Sequence, residues 1–213
     1  MITHVLLDLD GTLVDSREGI VRSLQHAFVM CGLETPDDET LASLIGPPFS
    51  EALPQFGLDE TMVRRVIEAY RSRYAPIGMF EASVYPGVAD LLDQLVDRGI
   101  TLALATSKPE PFADVIVRHF GLRAKLAVVV GATFDESRAR KSDVVAYALT
   151  QLPSATETNT LMVGDREHDV HGAAANGLRC VGVTWGFGSR TELQEAGAWQ
   201  LIDHARELLD HLD

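Results

Sequence analysis

Two aspartates two residues apart, Asp8 and Asp10, close an apolar run (His4-Val5-Leu6-Leu7) and are followed at once by Gly11 and Thr12. On a strand, residues i and i+2 point to the same side, so two like charges stand together at the edge of a core. Such a pair is either turn chemistry that ends a strand or part of a site that needs carboxylates side by side. Three further stretches bear on the choice: Thr106-Ser107-Lys108-Pro109, the lone Lys141, and Gly164-Asp165 with Asp169 four residues on. Clustered carboxylates repel and need a cation. Mg2+ takes one or two carboxylates while keeping waters and a phosphate oxygen. A hydroxyl and amides at a helix N-terminus favour an anion, and a lysine adds a positive point charge to it. Together these groups can stabilise the charge on a transferring phosphoryl group.

The elements that must position these residues are legible in outline. Five apolar, β-branched runs (5–10, 100–106, 126–131, 160–165 and 179–185) are continuous rather than alternating, as in strands buried on both faces of a parallel sheet. Helical patterns lie between the later ones, at 87–98, 109–119, 142–151 and 169–176, with Gly99 and Gly121 as stops. Strand–helix repetition predicts an α/β fold, a Rossmann-like doubly wound parallel sheet. Its ligands sit beyond the C-terminal strand ends, where the residues named above all fall. Residues 15–83 break the rhythm with three helical patterns (17–31, 37–45 and 59–75) and no convincing strand. The expected organisation is a core of residues 1–14 and 84–213 with an inserted helical cap at 15–83.

DLDGTLVDS, ATSKP, a lone downstream lysine and VGDREHD, in this order, resemble the four motifs of the haloacid dehalogenase-like hydrolase superfamily. The nearest resemblance is to its phosphoglycolate-phosphatase-like and 5′-nucleotidase-like branch, whose helical cap follows the first strand. It covers essentially the whole chain. The resemblance implies that Asp8 is the nucleophile, forming an aspartyl-phosphate, and that Asp10 protonates the leaving oxygen and then activates water. It further implies that Thr106, Ser107 and Lys141 hold the phosphoryl oxygens. Asp8, the Asp10 carbonyl and Asp165 would bind Mg2+, with Asp169 ligating through water or orienting the site. An acid two residues after the nucleophile matches phosphate-ester cleavers rather than dehalogenating or phosphonate-cleaving relatives. The chain departs from the pattern in two places: Ser142 follows Lys141 where proline is common, and Arg166 stands where Ser or Thr is common. Lys125, Arg138 and Arg140 are the alternatives to Lys141, and Lys125 precedes the third strand at the wrong side of the sheet.

The net charge of −13 argues against a nucleic acid polymer or an anionic membrane as partner. The expected partner is a small phosphorylated metabolite, with nucleoside 5′-monophosphates and phosphoglycolate leading. Cys31 and Cys180, far apart and outside any CxxC, fit small buried residues of a reducing cytoplasm. No signal-like or membrane-length run is present. A monomer or homodimer is expected. Several residues carry a plainer reading beside the chemical one. Lys108 and Arg166 read as solvated or supporting side chains, Thr106 as a helix N-cap, and His168 and His171 as surface histidines. Gly186-Phe187-Gly188 follows a strand as a dinucleotide loop would, but Thr191 replaces the third glycine. Gly46-Pro47-Pro48-Phe49 is either an interhelical turn or a cap loop that touches substrate. Two rival activities remain at this point. One is a phosphomutase of the same fold, for which His26, Arg17 and Arg22 offer no clear sugar site. The other is a non-catalytic binding or regulatory domain, against which the complete acidic and lysine set counts.

Overall fold

The structure is a computed structural model that describes residues 1–135 and 137–212. It divides into two compact units, Met1–Asp15 with Val84–Asp213, and Ser16–Ser83.

The larger unit is built on a six-stranded sheet. Its strands are β1 (His4–Leu7), β4 (Thr101–Pro109), β5 (Val128–Ala132), β6 (Thr160–Gly164), β7 (Arg179–Val183) and β8 (Gln200–Ile202); β2 (Val14–Asp15) and β3 (Ser83–Val84) form a separate two-stranded pairing. The order is β5-β4-β1-β6-β7-β8, and all five neighbouring pairs are parallel. β1 is central: Leu7 lies opposite Leu104 on one side and Val163 on the other. The sheet is therefore covered on both faces, which explains the unbroken apolarity of its strands.

Alternation along the strands sorts the core into two layers. Leu6, Ala103, Ala105, Val130, Met162 and Cys180 share a cluster with Val144, Val145 and Ala148 of α7 (Lys141–Thr150) and Val170 and Ala173 of α8 (Glu167–Ala174). The short α9 (Arg190–Glu195) adds Leu193 to it. Val5, Leu7, Leu102 and Leu104 have the opposite parity, and α5 (Val88–Asp97) and α6 (Glu110–His119) pack against β4. Helix α9 follows the Gly186-Phe187-Gly188 loop, as that loop's resemblance to a strand–helix turn predicts, whereas the sixth strand β8 is not predicted by the sequence pattern. At three residues β8 is too short to show a period.

The smaller unit holds α1 (Arg17–Met30), α2 (Asp38–Ala42), α3 (Phe49–Ala52) and α4 (Glu60–Tyr74). α1 packs on α4, and Ile20, Leu24 and Phe28 of the first and Val63, Val66, Tyr70 and Tyr74 of the second are buried. Asp37 and Asp59 cap α2 and α4, accepting from the amides of Thr40 at 2.7 Å and Met62 at 2.8 Å. Such caps satisfy an otherwise orphaned donor and are worth about 1 kcal/mol. The Gly46-Pro47-Pro48 turn leads into α3, where the Phe49 ring stands edge-on to Tyr70 at 4.8 Å. That aromatic is half-buried and packs on a residue of this same unit. Cys31, expected to be buried, is only half-buried at the C-terminal cap of α1, whereas Cys180 is buried.

Candidate active site

Asp8 is the first residue beyond β1, and its amide continues the ladder by donating to the Val163 carbonyl at 3.0 Å. Asp165 directly follows β6, the neighbouring strand. The sheet's register therefore brings these two carboxylates together. Asp169 lies in the first turn of α8, where its Oδ2 accepts from the Arg166 amide at 3.1 Å. Asp8, Asp165 and Asp169, all buried, each place a carboxylate oxygen within 4.8 Å of the others.

Lys141 opens α7 and reaches into this cluster. Its Nζ lies 2.7 Å from Asp8 Oδ1, 2.7 Å from Asp169 Oδ1 and 3.1 Å from the Ala105 carbonyl. Two of these contacts are hydrogen bonds, to Asp8 and the Ala105 carbonyl, and the third is an ion pair with Asp169. Burial works against its charge, but Asp169 and Asp8 more than offset that and hold the ammonium well above the ordinary lysine range. α8 makes room for it: a Cβ on Gly172 would stand 2.5 Å from Lys141 Cγ. The alternatives are placed elsewhere. Lys125 binds the Ala89 carbonyl and Asp93, Arg138 pairs with Glu110, and Arg140 is exposed.

Asp165 has no lysine. Thr12 Oγ1 donates to its Oδ1 at 3.2 Å and the Phe187 amide to its Oδ2 at 2.7 Å. Burial, with the charges of Asp169 and Asp8 beside it, pushes its carboxyl well above the usual carboxylate range. Burial likewise raises Asp169 to about 6, against the opposing pull of Lys141. Space around Asp165 is made by glycines. A Cβ on Gly11 would lie 2.1 Å from Asp165 Oδ2, on Gly186 2.4 Å from its Cβ, and on Gly188 2.0 Å from its carbonyl oxygen. This is the role of Gly186-Phe187-Gly188, which the dinucleotide comparison missed: the loop clasps a carboxylate. Only the position of two glycines after a strand hinted at it.

Asp10 stands apart from the three-carboxylate cluster, in the tight turn where the amides of Thr12, Leu13 and Val14 all donate to the Leu9 carbonyl. Lys108 Nζ sits 3.0 Å from Asp10 Oδ2, with both side chains largely buried. Of the two plainer readings of Lys108, solvated or supporting, the structure fits the supporting one. Thr106 and Ser107 lie between Ala105 and Pro109, where the pairing of β4 with β5 shifts register. Thr106 is buried, and its hydroxyl accepts from the Lys108 amide at 3.2 Å. α6 begins only at Glu110, so Thr106 is not its N-cap. Arg166 holds Glu192 at 2.7 Å. His168 is half-buried and its pKa lies below the usual value through burial and then Arg166, whereas His171 is exposed. Among the described residues, no histidine joins a three-ligand metal cluster.

A hard divalent cation fits this donor set. Asp8, Asp10, Asp165 and Asp169 carry four carboxylates against Lys108 and Lys141, and the carboxylates left uncompensated are oxygen donors of the type Mg2+ takes.

The pattern of the haloacid dehalogenase-like hydrolase family matches residues 5–183. A 5′-nucleotidase of Pseudomonas aeruginosa is 42% identical over 192 residues, 90% of this chain and 86% of that protein. A protein named tyrosine-protein kinase PtkA of Mycobacterium tuberculosis is 43% identical over 201 residues, 94% of this chain and 68% of that one. Among solved structures, a predicted phosphatase from Clostridium acetobutylicum superposes with a TM-score of 0.95 at 38% identity, covering 100% of this chain and 98% of that one. The chain therefore belongs to the haloacid dehalogenase-like hydrolase family, as a hydrolase of phosphoric monoesters. Among the described residues, no helix is long and apolar enough to cross a membrane.

Proposed function

We propose that the protein hydrolyses a small phosphomonoester with Mg2+ and an aspartyl-phosphate intermediate, and that nucleoside 5′-monophosphates are its preferred substrate class. The observation that carries this reading is the joining of Asp8, at the end of the central strand, to Lys141 within a buried three-carboxylate cluster. Asp8, Asp165 and the Asp10 carbonyl would hold the ion, with Asp169 fixing Lys141. When bound, Mg2+ supplies positive charge to the phosphoryl oxygens and to the buried carboxylates.

The remaining chemistry belongs to the chain's own groups. An Asp8 carboxylate oxygen attacks phosphorus as the ester P–O bond breaks. Asp10 gives its proton to the departing oxygen, so the alcohol leaves neutral. Asp10, now a carboxylate, takes a proton from water as that oxygen attacks the aspartyl-phosphate, releasing phosphate and restoring Asp8. Lys141, with the hydroxyl and amides of Thr106 and Ser107, holds the phosphoryl oxygens throughout. The helical unit, residues 16–83, serves as the cap that selects the leaving group. The preference for nucleotides rests on the 42% identity to the 5′-nucleotidase.

The test is a phosphate-release screen over nucleoside monophosphates, phosphoglycolate and sugar phosphates, with and without Mg2+. It is paired with acid-quench trapping of the labelled enzyme. Asp8→Asn should fold, lose turnover and trap no label. Retained turnover in Asp8→Asn sinks the nucleophile assignment. The identity to the kinase-named mycobacterial protein supports a second reading of the same site, in which a tyrosine hydroxyl replaces water as acceptor. Asp8-dependent transfer from ATP to protein tyrosine would be its signature.

A further inference from the structure

Asp10 lies beyond β1, in a turn closed by an isolated bridge to Val14, so the pairing of the main sheet does not aim its carboxyl. Its two oxygens differ in surroundings. Oδ2 is held by Lys108 Nζ at 3.0 Å, while Oδ1 is buried without a hydrogen-bond partner. A buried carboxylate oxygen left without a partner is costly unless another molecule supplies one. The chain also invests backbone geometry in placing Lys108. The β4–β5 register shifts between Ala105 and Pro109, the Thr106 hydroxyl takes the Lys108 amide, and a Cβ on Gly131 would lie 2.5 Å from the Lys108 carbonyl oxygen. The Lys108 side chain is thereby turned inward and 8% exposed.

We propose that Lys108 is a positioning residue for the acid–base step: by pinning Asp10 Oδ2 it presents Oδ1 to the leaving oxygen and, in the second half-reaction, to the attacking water. This rests on the proposed role of Asp10. A proton donor must lie within hydrogen-bond reach of the oxygen it serves, and small misplacement of a reacting group is expensive. A pinned carboxylate cannot rotate to pair both oxygens with Lys108, so Oδ1 stays available.

The experiment compares leaving groups. Lys108→Met keeps the length and apolar stem of the side chain and removes its charge; Lys108→Gln serves if the methionine variant does not fold. Steady-state kcat and KM are measured for p-nitrophenyl phosphate, whose phenolate leaves with little help, and for an alkyl phosphate, whose alkoxide needs a proton. The acid step contributes roughly 10²–10⁴-fold in such reactions. The expected result is a loss of kcat/KM, which reports the ester-cleaving half-reaction, at least about tenfold greater for the alkyl ester, while slower water attack on the shared aspartyl-phosphate lowers kcat for both. Asp10→Asn should show the same skew, and adding the Lys108 substitution to it should not enlarge that skew. Equal losses of kcat/KM on both substrates for Lys108→Met, alongside a skew in Asp10→Asn, overturn the positioning role and leave Lys108 structural. No skew in Asp10→Asn overturns the acid–base reading itself.

Discussion

Asp165 is the carboxylate whose service to the site costs the fold most, and its replacement by Asn should stabilise the metal-free protein. The exchange is nearly isosteric. An Asn carbonyl can still accept from the Phe187 amide, and its NH2 can donate to the Thr12 hydroxyl, which reverses its own role. What disappears is a buried anion. The size of the gain follows from its neighbour: Asp169, although Lys141 partly neutralises it, is pushed from 3.8 to about 6. That displacement disfavours the anion by ~3 kcal/mol at neutral pH. Asp165 has burial and two carboxylates against it and no lysine in contact, so its charge is disfavoured in the same direction. The sign is fixed by linkage. These carboxyls bind protons more tightly in the folded state than in the unfolded chain, so their contribution to stability falls as pH rises through the interval between the two values. Without metal, Asp165→Asn should melt roughly 5–10 °C above the parent at pH 7.5, and the gap should narrow as pH falls toward 5. With millimolar Mg2+ the order should reverse, because the parent gains ligand-linked stability that the variant loses. Thermal melts with EDTA or Mg2+ at the two pH values decide the matter. A metal-free variant that melts below its parent, or a gap that widens on acidification, refutes the electrostatic account.

Two further outcomes follow from local geometry. Gly188→Ala drives a Cβ to within 2.0 Å of the Asp165 carbonyl oxygen; the backbone must shift, at a cost of at least about 2 kcal/mol, and Mg2+ affinity measured by calorimetry should fall with it. Asp59→Ala removes the cap of α4 and should lower stability by about 1 kcal/mol in urea titration while Mg2+ affinity stays unchanged, since the residue lies in the other unit.

Legibility divided along a physical line. Asp8, Asp165 and Lys141 could be placed from sequence because each is tied to a regular element: two to the ends of buried parallel strands, one to the start of the helix that leads into the second. Regular elements have fixed periods, and a period can be read one residue at a time. Lys108 and the Gly186–Gly188 loop could not be placed that way. Lys108 follows a register shift that depends on Gly131, a residue of another strand, and lysines outside such a constraint are nearly always solvated. Gly186 and Gly188 are small because of Asp165, more than twenty positions earlier in the chain. The same distinction separates the two lysines chemically. Lys141 joins carboxylates that regular structure had already brought together. Lys108 supplies what regular structure does not, a fixed direction for a carboxyl borne on a turn. In the proposed mechanism, the acid that changes protonation state in each half-reaction is thus the one aimed by a side chain rather than by the sheet.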